Sequence, residues 1–316
     1  MKKTLLTLSI AAVFAVGASA AEFKAGTYTA KAPGIHGDVT VTVTFTKDKI
    51  ADVKVTHSET PGIGSKAAEL LPGRIVERQS PQVDGVTGAT ITSTAIRTAV
   101  ADTVKQAGAD PAALVPLAVK KQAKNETVDT DVVVVGGGGA GMSATIRTRM
   151  NGLNVVLVEK MPFIGGAASI SGGQVVAQGS KLQKAFGVTD DSVESMVKDF
   201  QANGHNLNDL SKLTLYAKNV GPTIDWLHDQ VGVKFIPNDL PFLAEYSHRR
   251  ALEFQGGAGT MAQHLREVIG SNGAKVLFNT RVEKLIVEDG KVTGVEAVDG
   301  NTGTKYTIRA KKTLLT

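Results

Sequence analysis

The chain contains no cysteine. This excludes disulfides, thiol nucleophiles, cysteine-ligated iron–sulfur clusters and the Cys-x-x-Cys-His attachment of c-type haem. Trp and Tyr are also scarce, with one Trp and four Tyr in 316 residues, which argues against a surface that stacks nucleic-acid bases. The basic excess is only +5 and is dispersed, so no electrostatic footprint for nucleic acid is present. Long apolar runs are missing: Leu5 to Val16 falls short of the ~20 residues that cross a bilayer, and no other segment is long and apolar enough. With 42% apolar and 21% charged residues, the chain is globular rather than disordered, and it is long enough for two domains.

Residues 1–20 have the form of an export signal. Lys2-Lys3 supply the basic start, Leu5 to Val16 the short apolar stretch, and Ala18-Ser19-Ala20 the small-residue cleavage site. Cleavage after Ala20 would remove two lysines and bring the net charge from +5 to +3. The expected location is the bacterial periplasm.

From Gly26 to His57, Thr and Val alternate with turn residues. Val39 to Phe45 has strand period, Lys47-Asp48-Lys49 reads as a turn, and Ile50 to Val55 returns. Helices are expected over about 64–78 and 90–107, making residues 22–107 a small α+β domain. Between them lies Asp84-Gly85-Val86-Thr87-Gly88-Ala89-Thr90. Asp-Gly and Thr-Gly are turn dipeptides, and a Thr at a helix start sits beside backbone N–H groups that suit a phosphate. A plain turn and helix cap would use the same residue types. The surrounding run Thr56-His57-Ser58-Glu59-Thr60-Pro61-Gly62-Ile63-Gly64, with Leu71-Pro72 and Ile75 to Ser80, resembles the FMN-binding domain of flavocytochrome-c-like reductases and sodium-pumping quinone reductases. In that family the acceptor pattern is Asp, two variable residues, Ser or Thr, Gly, Ala, then the modified residue. Asp84, Thr87, Gly88 and Ala89 fill the fixed positions, so the resemblance implies FMN joined through its phosphate to Thr90 by a flavin transferase. His57 and Glu59 are either polar loop residues or a lining for the flavin ring.

Residues 108–127, with Gly108, Asp110-Pro111, Pro116 and Lys120-Lys121, read as a linker. The pattern then changes. Asp131 to Val135 is an unbroken β-branched run, as in buried parallel strands. Gly136-Gly137-Gly138-Gly139-Ala140-Gly141 satisfies Gly-x-Gly-x-x-Gly, with Gly136, Gly138 and Gly141 at its fixed positions. A helix from Met142 to Asn151 and a strand from Asn154 to Val158 follow. Glu159 stands eighteen residues after Gly141, where a dinucleotide ribose needs an acceptor. Lys160, then Gly165-Gly166-Ala167-Ala168 and Gly172-Gly173, resemble the second FAD contact loop of the fumarate reductase and succinate dehydrogenase flavoprotein family. Members commonly carry Asn, Ser or Thr after the first glycine pair. Ala167 and Ala168 depart from this and remove one side-chain hydrogen bond to FAD, leaving backbone contacts. Ala140 falls within the glycine loop, and the backbone at Arg281-Val282 matches where the family meets adenine.

Residues 190–232 read as mostly helical, with Trp226 in an apolar stripe. His248-Arg249-Arg250 precedes Gly256-Gly257-Ala258-Gly259 and a helix from Thr260. The family has a similar element beside its flavin, and a solvated basic loop would read the same way. A hairpin turns at Asp289-Gly290-Lys291, and Tyr306 to Leu315 forms a last strand. In the resembled family that strand leads into more FAD domain and a substrate-clamping domain. The expectation is therefore a truncated chain with an incomplete α/β Rossmann-like FAD lobe at 128–316, an open edge at its last strand, no catalytic residue and no metal. It would be inactive alone. The parent would resemble haem-free flavocytochrome-c-type reductases, urocanate reductases first and fumarate or acrylate reductases next. Electrons from a periplasmic or quinol-linked donor would pass from FMN to non-covalent FAD and on to a small unsaturated carboxylate. The alternative is an FMN-bearing electron carrier whose FAD lobe is a remnant.

Overall fold

The computed structural model describes residues 22–118, 123–236 and 240–315. The expected export signal lies outside the described residues, as do residues 119–122 of the expected linker. No helix among the described residues is long and apolar enough to cross a membrane.

The N-terminal lobe follows from strict alternation. In β2 (Asp38–Phe45), Val39, Val41, Val43 and Phe45 are buried while the intervening threonines are not. β2 pairs antiparallel with β1 (Gly26–Pro33) and β3 (Ile50–Thr56). Against the buried face pack α1 (Gly64–Arg78), through Ala67, Leu71 and Ile75, and α2 (Thr90–Gln106), through Ile96, Ala99, Val100 and Val104. Both helices start where the sequence places them.

The second lobe is built on a six-stranded sheet. Its order is β8 (Lys275–Leu277), β5 (Val155–Val158), β4 (Asn125–Val135), β11 (Lys305–Leu315), β10 (Lys291–Asp299) and β9 (Thr280–Glu288). The first four are mutually parallel, and β9 to β11 form an antiparallel meander. The unbroken run in β4 has a direct cause. Val132 and Val134 face a core that includes Met142 and Ile146 of α3 (Gly139–Met150) and Leu265 and Ile269 of α7 (Gly257–Ser271). Val133 faces a second core with Val295, Ala297 and Ile308. Helices α4 (Lys181–Ala185), α5 (Val193–Asn203) and α6 (Leu210–Trp226) and the ribbon of β6 (Gln174–Val176) with β7 (Ala251–Glu253) complete the lobe. Trp226 is half-buried against the helical core, with Arg147 5.8 Å from its ring.

Two expectations are corrected. β4 begins at Asn125, inside the stretch expected as linker. Its polar first half carries no burial signal, yet it pairs residue for residue with β11 from Lys305↔Asn125 onward. The last strand also leaves no open edge. β11 lies inside the sheet between β4 and β10, and β8 and β9 are the edges.

Candidate functional site

The segment 84–90 is a short turn feeding a helix. Ala89 N donates to Val86 O at 3.0 Å, and Gly88 has φ 85°, a conformation that disfavours any side chain. Val86 N donates to Ser93 Oγ at 2.9 Å, and Arg97 Nη1 donates to Val83 O at 3.1 Å. Asp84, Thr87 and Thr90 are exposed, and Thr90 is the first residue of α2. The N-cap, Ala89, supplies no side-chain acceptor. Helix geometry leaves the first backbone N–H groups without intrahelical partners, which gives an anion a ready donor set beside the Thr90 hydroxyl.

Glu59 lies behind this turn with its carboxylate buried. One oxygen accepts from Ile35 N at 2.8 Å and His36 N at 3.1 Å; the other meets the Thr92 hydroxyl in a short hydrogen bond. Burial opposes its charge, but the bonds from Thr92, His36 and Ile35 outweigh it and hold the carboxyl below the ordinary glutamate range. His57 Nδ1 accepts from Glu59 N at 3.1 Å. Of the two readings of these residues, the geometry gives Glu59 a fastening role. It ties loop 34–37 to the first turn of α2.

The glycine-rich elements of the second lobe converge at the C-terminal ends of the parallel strands. Gly136 directly follows β4 with φ 100°, and Gly138 caps α3 with no side chain. Glu159 ends β5 and is buried. Its Oε2 accepts from Gly137 N at 2.6 Å and its Oε1 from Met161 N at 2.7 Å. Gly165 N donates to Gly137 O at 2.7 Å, drawing the second loop onto the first. A Cβ on Gly166 would lie 3.1 Å from Gly138 Cα, and one on Gly139 would lie 3.1 Å from Ala168 Cβ. Gly173 is as tight: a Cβ there would lie 2.8 Å from Ala258 N, at the start of α7. By contrast, a Cβ on Gly138 or Gly172 would meet no protein atom within 4 Å. The bare backbone of the 136–141 loop is thus compressed on the protein side and open at Gly138, as a pyrophosphate cradle requires.

The remaining candidates are distributed around this cradle. Thr280 N donates to Glu159 O at 2.9 Å, so the strand carrying Val282 starts beside Glu159, although the Val282 side chain packs into the sheet core. Lys160, Gly166, Ala167 and Ala140 are exposed. The structure does not merge the Thr90 turn with the cradle, but the two touch. A Cβ on Gly88 would lie 2.9 Å from the Phe163 ring and 3.5 Å from Met161 Cε, both in the segment that follows Glu159. Beside this contact a cleft of about 1100 Å³ separates the lobes, with Arg74, Asp84 and Thr87 on one wall and Pro162, Asn279 and Tyr306 on the other.

One feature escaped the sequence. Arg250 is buried, 1% exposed, and is neither solvated nor a free basic group. Its Nε and Nη2 bind Asp191 at 2.7 and 2.6 Å, and its Nη1 binds Asp199 at 2.5 Å. Burial works against all three charges. It is outweighed at Asp191 first by the bonds from Arg250 and Gln183, at Asp199 first by those from Ser247 N and Oγ and then by Arg250, and at Arg250 by both carboxylates, holding the carboxyls low and the guanidinium high. The sequence shows a basic pair but not which member turns inward. Arg249 instead donates to Leu240 O and lies over Phe242.

Comparison with known proteins agrees with this architecture. Residues 131–316 match the family described as FAD binding domain, and residues 34–105 match the FMN-binding domain. The chain belongs to the FAD binding domain family and carries an FMN-binding domain ahead of it. It is homologous to urocanate reductase and fumarate reductase flavoproteins. It is 34% identical over 304 residues to a urocanate reductase of Eggerthella lenta, covering 94% of this chain and 50% of that protein. An NADH:acrylate oxidoreductase of Vibrio harveyi is 30% identical, over 89% of this chain and 34% of its own length. Among solved structures, the open conformation of a flavocytochrome c3 fumarate reductase superposes with a TM-score of 0.54 at 34% identity, over 60% of this chain and 33% of that one. The chain spans about half or less of the length of these relatives.

Proposed function

We propose that this chain is the FMN- and FAD-carrying part of an exported reductase for small unsaturated carboxylates, of the urocanate, fumarate or acrylate type. The observation that carries the reading is the acceptor turn 84–90, exposed at a helix start and packed through Gly88 against the segment that follows Glu159. The Thr90 hydroxyl would hold the FMN phosphate, attached by a flavin transferase, with the uncapped first turn of α2 supplying N–H donors. Glu159 would accept a ribose hydroxyl of FAD. Each of its oxygens already accepts one backbone N–H, and a carboxylate has about four lone-pair sites in all. The open face at Gly138 and the α3 N-terminus suit the pyrophosphate. Bound flavins would supply electron transfer at the first lobe and hydride delivery to an activated C=C bond at the second. Lys2-Lys3, the following apolar stretch and Ala18-Ser19-Ala20 support export to the periplasm, where a soluble or quinol-linked donor would reduce the FMN.

Two measurements test this. Mass spectrometry of protein from the periplasmic fraction should show the FMN mass on the peptide containing Thr90. Oxidation of reduced viologen should be accelerated by urocanate, fumarate or acrylate in the longest natural form of the protein. FMN on Thr90 with no response to any of the three would replace the reductase by an electron carrier. Absence of FMN from Thr90 would remove the basis of the whole reading.

A further inference from the structure

Arg266 lies on α7 at the seam between the lobes, and its surroundings are unusual for a half-buried arginine. Among the described residues its polar partners are two backbone carbonyls, one from each lobe. Nη1 donates to Ile164 O at 3.0 Å, in the second glycine loop, and Nη2 reaches Pro61 O at 3.5 Å, in the first lobe. No ion pair among the described residues includes it; the nearest acidic influence is its helix neighbour Glu267, and burial pulls its pKa below the ordinary arginine value. The guanidinium packs against Gly62, where a Cβ would collide with Nη2, and it lies 3.1 Å from where a Cβ on Gly165 would stand. Gly62 has φ 74° and sits one residue before the N-cap of α1.

A desolvated charge without a carboxylate is a poor choice for stability alone. The Ile164 carbonyl holds the guanidinium from its own lobe, and the Pro61 carbonyl, with the Gly62 backbone it packs on, is a directional partner that exists only when the lobes are docked. The contact of Phe163 and Met161 with Gly88, and of Phe163 with the first-lobe core, is apolar and fixes no register by itself. Resting on the two-flavin reading above, we infer that Arg266 is a positioning residue that docks loop 61–62 onto the second FAD loop and thereby fixes the separation of the Thr90 turn from the FAD cradle. Electron passage between two bound flavins depends steeply on that separation, so the residue acts on transfer between sites rather than on either site.

The absence of cysteine permits a direct test. Lys54 on β3 and Lys284 on β9 have side chains 79% and 69% exposed, one in each lobe. Replacing both with cysteine and attaching spin labels reports the distance between lobes by pulsed dipolar spectroscopy on the full chain. The docked protein should give one narrow distribution. Arg266→Met should broaden it, while circular dichroism stays unchanged. Arg266→Lys, which can still donate to a carbonyl, should largely restore it. Gly62→Ala perturbs the same contact from the opposite lobe, leaves the FAD lobe untouched and should broaden the distribution as well. In doubly flavinylated protein, Arg266→Met should slow reoxidation of FMN through FAD by at least about tenfold. The inference is overturned if Arg266→Met and Gly62→Ala keep the narrow distribution, or if Arg266→Lys is as broad as Arg266→Met. The label distances do not require flavin, so a failure of the Thr90 assignment is seen separately, as missing FMN mass.

Discussion

The helices of this molecule begin in two different ways. α4, α5 and α6 start at Ser180, Ser192 and Asp209, whose side chains accept from the backbone N–H groups of the first turn. α1, α2, α3 and α7 start at Ile63, Ala89, Gly138 and Gly256, with no side-chain cap. The capped helices bring no glycine loop to their first turns. Of the uncapped ones, α2, α3 and α7 begin at the turn 84–90, the first glycine loop and the backbone packed on Gly173. A cap satisfies the donors that an anion would otherwise use, so it stabilises a helix while closing its N-terminus to a phosphate. At α2, α3 and α7 the missing cap coincides with bare, glycine-rich backbone, and that coincidence is what the following variants test.

The sharpest way to break this contrast is at Thr90. Thr90→Ala should abolish FMN incorporation altogether, while Thr90→Ser, which keeps a hydroxyl in place, should retain it; intact-mass measurement separates the two. FMN remaining on Thr90→Ala would show that the uncapped start of α2 is not the acceptor. The next effect is purely structural and belongs to the capped side. Arg250→Met would leave Asp191 and Asp199 without their shared guanidinium partner, and removing one partner from a buried ion cluster costs about 3–5 kcal/mol. Urea unfolding should show this, and adding Asp191→Asn to the Met variant should recover part of the loss.

The same cluster sets a pH response. Asp191 and Asp199 have carboxyls held below their unfolded values, with hydrogen bonds and Arg250 overcoming the effect of burial. Their contribution is therefore complete above the unfolded pKa of about 3.9 and is lost as pH falls through the folded values. A thermal midpoint that falls on acidification below about pH 4, and does so less in Arg250→Met, is the expected result. An acid response identical in the two proteins would remove the cluster from the account.

How much of this was legible in the sequence follows from how local each signal is. The Val39 to Phe45 alternation and the bounds of α1 and α2 are written within a few residues, and the structure reproduces them. The glycine loop after the Val132 to Val135 run is equally local, because strand, turn and acid stand in chain order. What could not be read depends on distant partners. The polar half of β4 is a strand only because β11 lies beside it, and the expected open edge of β11 vanishes because β10 covers its other side. Arg250 is chosen over Arg249 by carboxylates 59 and 51 residues away. Glu59 likewise finds Thr92 across 33 residues, so its identity as a fastening group could not be separated from a flavin lining.

The smaller effects test whether the difference between helix starts concerns ligands at all. Gly138→Ala places its Cβ where no protein atom lies within 4 Å, and its φ of −71° is one that alanine adopts freely. Stability of the protein without flavin should therefore hardly change, or rise slightly. FAD affinity should fall by about tenfold or more, because the methyl occupies the space into which the pyrophosphate must come, and tenfold corresponds to ~1.4 kcal/mol. Ser192→Ala should do the reverse. It removes the acceptor for Ser195 N at 3.1 Å, which costs about 1 kcal/mol of stability, and leaves FAD affinity untouched. Titration of both variants with FAD, alongside urea unfolding of each, gives four numbers that must separate in opposite directions. If Gly138→Ala loses stability and keeps its affinity, the bare start of α3 serves packing alone, and the contrast between capped and uncapped helices has no bearing on flavin.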